Sequence, residues 1–287
     1  MKYRKYKFER KKYGREFLLD CVFFSEADRK VVTGLPFCYD FHGIFIQSSG
    51  RAKIAIDAEI YSLKVGSHIF LRAHQVREWL SLTSNFSGYL LIFENEFIET
   101  FFNDDLFIHR FQFFQTNLPV VLECNKSFLI ENVLNCNKIR TELSVLRDDS
   151  HHYIRSLIYN MLIQINRCYI KEFDLSEHLY QNDIALRFRK LLEKNIRNIQ
   201  EVKEYAEFLK VSRSQLNMAL RKSSGESASQ MIRKRLVTEI KRDLLYSEKN
   251  ISEIVYGLGF SDNSNFVRFF KTNTGKTPSE FRSEYQK

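Results

Sequence analysis

The chain repeats itself. Residues 220–229 (Leu-Arg-Lys-Ser-Ser-Gly-Glu-Ser-Ala-Ser) and residues 270–279 (Phe-Lys-Thr-Asn-Thr-Gly-Lys-Thr-Pro-Ser) match at an offset of 50 in a large apolar residue, a base, a hydroxyl, a glycine and two further hydroxyls. Upstream, Leu216 matches Phe266, Ser214 matches Ser264 and, with one inserted residue, Val211 and Ser212 match Phe260 and Ser261. Such a repeat means two copies of one supersecondary unit. Each copy reads helix, short turn, helix: 202–209, 210–212 and 213–222, then 251–258, 259–261 and 262–272. Ala206 and Val255 face the partner helix at close approach, the turn wants positive φ at Lys210 or Gly259, and Ser212 and Ser261 are ready N-caps. Gly259 suits that turn, whereas Lys210 accepts strain of about 1 kcal/mol or takes another path. Leu216 and Leu220, like Phe266 and Phe270, lie four residues apart and point inward. Gly275 and Pro278 complete the scaffold near helix ends.

The face opposite those apolar residues carries the functional expectation. It offers Ser214, Asn217, Met218 and Arg221 in the first unit, and Asn263, Ser264, Val267 and Arg268 in the second. An Arg can bridge guanine O6 and N7, an Asn can pair with adenine, and Val or Met can touch a thymine methyl. Ser214, Asn217, Met218, Asn263, Ser264, Val267 and Arg268 are therefore expected at base edges of double-stranded DNA, with Arg268 foremost. Ser212, Arg221, Lys222 and Lys271 are expected on phosphates. Between the units, 233–246 form an amphipathic helix with Leu236, Ile240 and Leu244 on one stripe. As a rigid connector it would hold the two recognition helices about 34 Å apart, one duplex turn, for successive major grooves.

Charge agrees with this division. Residues 181–287 hold 21 Lys and Arg against 13 Asp and Glu, and a further eight bases lie in the first fifteen residues with only Glu9 opposing them. The intervening 16–180 are net acidic. Basicity concentrated on one domain is the footprint of phosphate contact.

The N-terminal half reads differently. Between about residues 18 and 97, short aromatic and β-branched runs are broken by turn formers, as an antiparallel barrel or sandwich requires. Past Pro119 the period changes. Over 151–169, Ile154, Leu157, Ile158, Met161, Leu162, Ile165 and Cys168 fall on one face of a helix. That stripe packs either on its own barrel or across a homodimer through Ile154, Ile158, Met161 and Ile165, which also approximate a coiled-coil seam. The expected divisions are a basic tail (1–15), a sensor domain (16–120), a helical dimerisation and linker segment (121–180) and a DNA-binding domain (184–287). The tail is read as a solvated arm, a second DNA contact or a latch.

Several classes recede. With 44% hydrophobic residues the chain is ordinary for a globular protein, no run approaches the roughly 18 apolar residues of a membrane span, and no secretion signal opens it. A cytoplasmic location without membrane contact is expected. The five scattered cysteines suit reduced thiols. His42 and His74 lack the close-set partner of a metal site, so no metal, cofactor or catalytic residue is expected.

The stretch 253–262 (Glu-Ile-Val-Tyr-Gly-Leu-Gly-Phe-Ser-Asp), followed by Phe266, Phe270, Lys271, Gly275, Thr277, Pro278, Phe281 and Arg282, resembles the signature of the AraC/XylS family of bacterial transcription regulators. The resemblance covers roughly 196–282, with Val255 where Ala is usual and Leu220 where Phe is common. More weakly, Asp40 to Ile44, Ser49, Gly50, Ile56, Asp57 and Gln75 to Trp79 are similar to the cupin-like sensor barrels of that family, which often carry Pro-Gly and His where Ala73, His74 and Arg77 stand here. The resemblance implies an α+β chain: a cupin-like antiparallel β-barrel with flanking helices, then an all-α domain of two helix-turn-helix units joined by a linker helix. It implies a sequence-specific transcription regulator, responsive to a small-molecule effector, with RNA polymerase a further candidate partner. The rivals are a cupin-type enzyme tethered to DNA and an architectural protein without sequence preference. In the favoured mechanism an effector in the barrel alters the packing of the 151–169 helix and so the seating of two readers on DNA.

Overall fold

A computed structural model describes residues 3–14, 16–25, 36–57, 59–73, 75–94, 96–97, 106, 108–115, 118–175 and 183–285. The chain divides into two compact units, 3–175 and 176–287. The polar boundary expected at 176–183 lies almost wholly outside the described residues, as does His74.

Among its described residues the first unit holds ten strands: β1 (Arg4–Tyr6), β2 (Leu19–Phe24), β3 (Phe37–Tyr39), β4 (His42–Ser49), β5 (Ala52–Ile56), β6 (Glu59–Leu63), β7 (Ser67–Leu71), β8 (Arg77–Leu82), β9 (Ser87–Phe93) and β10 (Val121–Glu123). They form two five-stranded sheets, ordered β1-β3-β8-β5-β6 and β10-β7-β4-β9-β2, instead of closing into one barrel. All pairs are antiparallel except β1 with β3. Phe24, Phe45, Ile54, Ile69, Trp79 and Phe86 cluster between the sheets, with Phe45 and Phe86 stacked at 5.6 Å. The central strands approach closely: a Cβ on Gly88 of β9 would stand 2.5 Å from the Ile46 carbonyl oxygen of β4.

The second sheet is covered on both faces, which is why β7 is buried along its whole length. Ile44, Phe70, Leu91 and Phe93 point away from the intersheet core toward α1 (Lys126–Ser144) and α2 (Ser150–Glu172). Here the structure corrects the dimer expectation. Ile154, Ile158, Met161 and Ile165 of α2 are buried in this core and have no surface to offer a second chain. The helix is anchored further by the Asn166 carboxamide oxygen, which accepts from the Gln112 amide at 3.0 Å, and by the Tyr169 hydroxyl, which donates to the Pro119 carbonyl at 2.6 Å. A stripe of suitable period packed on its own sheet instead, because β4, β7 and β9 left an apolar face needing cover.

The basic tail is likewise built in. Besides the β1 pairing, the Phe8 ring meets Phe41 edge-on at 5.5 Å, Arg10 pairs with Glu94 and Glu16, and Lys12 and Tyr13 both bond Asp20. The acidic groups of the first unit neutralise these bases, so the described part of the tail is not a free arm.

The second unit is helical: α3 (Asp183–Asn195), α4 (Val202–Phe208), α5 (Arg213–Ser224), α6 (Ala228–Tyr246), α7 (Ile251–Gly257), α8 (Asn263–Thr274) and α9 (Pro278–Tyr285). An ionic cluster ties α6 to the first helices. Arg235 donates to Glu193 at 2.8 Å and to Glu239 at 2.6 Å, while Arg197 reaches Glu239 at 2.7 Å and both oxygens of Asp243. Burial raises the Glu239 carboxyl pKa, but Arg235, Arg242 and Arg197 outweigh it and bring the value down to about 2.

Candidate nucleic-acid interface

The two helix-turn-helix units are α4 with α5 and α7 with α8, and their turns have the same hydrogen-bond design. In the first, Lys210 takes φ +56°, its amide donates to Glu207, and the Val211 amide donates to the Ala206 carbonyl at 3.0 Å. In the second, Gly259 takes φ +73°, its amide donates to Tyr256, and the Phe260 amide donates to the Val255 carbonyl at 3.1 Å. Both are left-handed helix ends with the 6→1 and 5→2 bonds of a Schellman motif. Lys210 therefore accepts the strained conformation.

The recognition helices begin in the same 50-residue register, at Arg213 and Asn263, after turns that differ in length by one residue. Ser212 caps α5 in a reciprocal box with Gln215. In the second unit the cap is Asp262, whose side chain accepts from the Asn265 amide at 2.7 Å, and not the expected Ser261. The insertion that offsets the repeat lies here, and the longer turn leaves Ser261 one residue short of the capping position. The Asn265 amide, helped by Ser261, holds the Asp262 carboxyl below its usual pKa.

Both helices end alike. Gly225 (φ +72°) and Gly275 (φ +78°) return their amides to Arg221 and Lys271 at 2.8 Å. Two residues later Ser227 with Gln230, and Thr277 with Glu280, form capping boxes for α6 and α9. Pro278 opens α9, where a missing amide proton costs nothing. Ser227 and Thr277 are thus helix starts, and the repeated glycines helix stops.

Leu216 and Leu220, Phe266 and Phe270, and Ala206 are buried as scaffold. On the outer face of α5, Ser214, Arg221 and Lys222 are exposed and Met218 is 68% exposed. On α8, Asn263, Ser264, Arg268 and Lys271 are exposed and Val267 is half-buried. Asn217 departs from its expected role. Its carboxamide nitrogen donates to the Arg213 carbonyl at 3.0 Å, and its oxygen accepts from the first amide of α6, that of Ala228, at 3.0 Å. It fastens α5 to α6 and is not free to read a base.

Arg268 is held by a residue that sequence reasoning passed over. Its Nη2 donates to Asn265 Oδ1 at 2.7 Å, while the Asn265 nitrogen donates to Ser261 and Asp262. The chain cap, asparagine, arginine orders the guanidinium on the open face. A second missed element is Gln200, just before α4, whose side chain donates to the Leu258 carbonyl in the other unit's turn. Arg282 clamps α9 to the Leu244 and Lys249 carbonyls at 2.8 and 2.9 Å. Nothing local in sequence announces such pairings, because their partners lie far along the chain.

A helix-turn-helix domain family model matches residues 205–284, covering most of α4 and all of α5 to α8. Residues 205–284 thus carry a helix-turn-helix domain. It is 33% identical over 138 residues to the Msm operon regulatory protein of Streptococcus mutans, a match covering 45% of this chain and 48% of that one, so it spans about half the length of this curated relative. Among solved structures, ToxT from Vibrio cholerae matches over 92% of this chain and 97% of its own, at 17% identity and a TM-score of 0.42. The C-terminal domain of AraT from Geobacillus stearothermophilus matches over 36% of this chain and 85% of its own, at 26% identity and a TM-score of 0.34. Among the described residues, no helix is long and apolar enough to cross a membrane, and no group of three or more His, Cys, Asp or Glu could hold a metal.

Proposed function

We propose that the protein is a sequence-specific, effector-responsive transcription regulator of the cytoplasm, without catalytic activity, that reads two successive major grooves with α5 and α8. The observation that carries this reading is the pair of units with the same left-handed turn, whose recognition helices bury one apolar face and expose the other. Arg268, prearranged by Asn265, reads a guanine; Asn263, Ser264, Val267, Ser214 and Met218 contact neighbouring base edges; Ser212, Arg221, Lys222 and Lys271 hold phosphates.

Genome-wide mapping of bound sites, followed by footprinting, tests it. Two protected segments one duplex turn apart are expected, and uniform protection without sequence preference would make the protein architectural. A homodimer and contact with RNA polymerase belong to the same proposal. With the α2 stripe buried, a second copy would instead meet α1, where Ile130 and Leu134 are exposed one turn apart. A single copy on the full operator, measured by sedimentation, would remove the dimer.

A further inference from the structure

Between the two sheets of the first unit lies a cavity of about 180 Å³. Phe24, Phe45, Leu71 and Trp79 contribute to its apolar wall, and its polar lining residues are Tyr39 and Arg77. Arg77 is wholly buried on β8. Its Nη2 donates to the Arg72 carbonyl at 2.6 Å, and its guanidinium lies 5.3 Å from the Tyr39 ring. Its Nε and Nη1 have no hydrogen-bond partner. Asp57 does not supply one: its Oδ2 accepts from Gln75 at 2.9 Å, and its Oδ1 is unpaired. Burial lowers the Arg77 pKa to about 10, which leaves it cationic at neutral pH.

An unmatched charge in an apolar wall costs several kcal/mol unless something satisfies it. The chemistry of the wall restricts what that can be. A sugar would bury many hydroxyls against hydrocarbon with two polar residues to answer them. A phosphate ester would bring a second negative charge with no second cation among the residues lining the cavity. A monoanion with an apolar body matches both halves. The size is bounded as well, since a cavity of about 150 Å³ accommodates benzene.

We propose that this cavity binds a compact apolar monocarboxylate, whose carboxylate accepts from Arg77 Nε or Nη1 while its aromatic or short hydrocarbon body fills the space beside Trp79. This rests on the effector-responsive part of the function above and names the ligand class. The strands facing the cavity also carry the helix packing: Phe45, Ile69 and Leu90 line one face of the second sheet, and Ile44, Phe70 and Leu91 meet α1 and α2 on the other. Occupancy is thereby felt by α2 through one layer of strands.

Trp79 is the chain's sole tryptophan, so its fluorescence reports on the cavity. The full-length protein is titrated with benzoate and octanoate, and in parallel with benzamide and octanamide. The acids should change Trp79 emission saturably and raise the melting temperature, binding roughly tenfold tighter than the amides, as a charge-assisted hydrogen bond implies. Arg77→Met should abolish that preference and leave amide binding intact. Equal affinity for acid and amide, a preference that survives Arg77→Met, or no response at millimolar acid would overturn the proposal. Should Arg77→Met not fold, the acid-to-amide ratio of the unaltered chain already decides.

Operator binding is measured on the same protein without acid. If it persists while no acid binds, the ligand class alone falls. Acid binding by a chain with no specific operator supports the ligand class and removes the regulator reading.

Discussion

The two helix-turn-helix units share one plan but are held together by different means. The second is made locally: Asn250 caps α7 in a box with Glu253, Gly259 takes the left-handed turn without strain, and Asp262, Asn265 and Arg268 form one chain of hydrogen bonds. The first lacks these devices. Glu201 opens α4 without a side-chain cap, and Lys210 takes a left-handed φ despite its Cβ. Its compensation is tertiary: the ionic cluster around Arg235 and Glu239, the Asn217 bridge to Ala228, and Gln200 on the other unit's turn. The difference teaches that a repeat can conserve a shape while moving its support from local chemistry to neighbouring elements. It also divides the labour expected on DNA, since the ordered Arg268 has no counterpart on α5.

The largest effect should come from removing the tertiary support. Glu239→Ala leaves the buried Arg235 with Glu193 alone and Arg197 with Asp243 alone, and removing one partner of a buried pair costs up to about 3–5 kcal/mol. Hydrogen exchange in the full chain should show α3 to α5 losing protection before α7 to α9. Simultaneous loss throughout would mean that the two units form one cooperative body and would erase the contrast.

Next comes base discrimination. Arg268→Ala should weaken binding to one operator by about 1–3 kcal/mol and relax preference at a single base pair. Met218→Ala should cost less and affect only a thymine contact. Competition binding against operator variants measures both. A uniform loss across sequences for Arg268→Ala would reassign it to phosphate and equalise the units.

The turns provide a pair of opposite sign. Lys210→Gly relieves left-handed strain and should stabilise the second domain by about 1 kcal/mol, whereas Gly259→Ala should destabilise it by a similar amount. A Cβ at Gly259 would meet only Gln200 Nε2, at 3.8 Å, so the cost there is conformational, not steric. Equal signs in chemical denaturation would show that tertiary contacts, and not backbone preference, set these turns.

How much of this was legible in the sequence follows the same local-versus-tertiary line. The repeat, the glycine stops, the Ser212 cap and the buried Leu216, Leu220, Phe266 and Phe270 are decided within a few residues, and each stood in the pattern. The cap at Asp262 required knowing on which side of Ser261 the insertion fell. Asn217 looked like a reader because its partner Ala228 lies beyond a helix end, and Arg197 meets Asp243 across 46 positions. In the first unit, strand periodicity revealed β structure and left barrel and sandwich open, and the strands pair into two sheets. The α2 stripe was visible, and its partner was not.

The smallest expected effect again contrasts the units. Asp262 is a titrating cap and Ser212 a neutral one. The Asp262 carboxyl is held below its ordinary value of 3.8 mainly by the Asn265 amide, so its contribution is present above that unfolded-state value and is lost as pH falls through the lower folded-state one. Acidification toward that range should fray the start of α8 while the start of α5, capped by a hydroxyl, stays protected. Asp262→Ser should transfer the neutral behaviour to α8, and amide exchange at Asn265 and Gln215 would record the two helix starts side by side. If Asp262→Ser leaves the acid response of Asn265 unchanged, the response arises elsewhere in the domain and the capping difference has no consequence for stability.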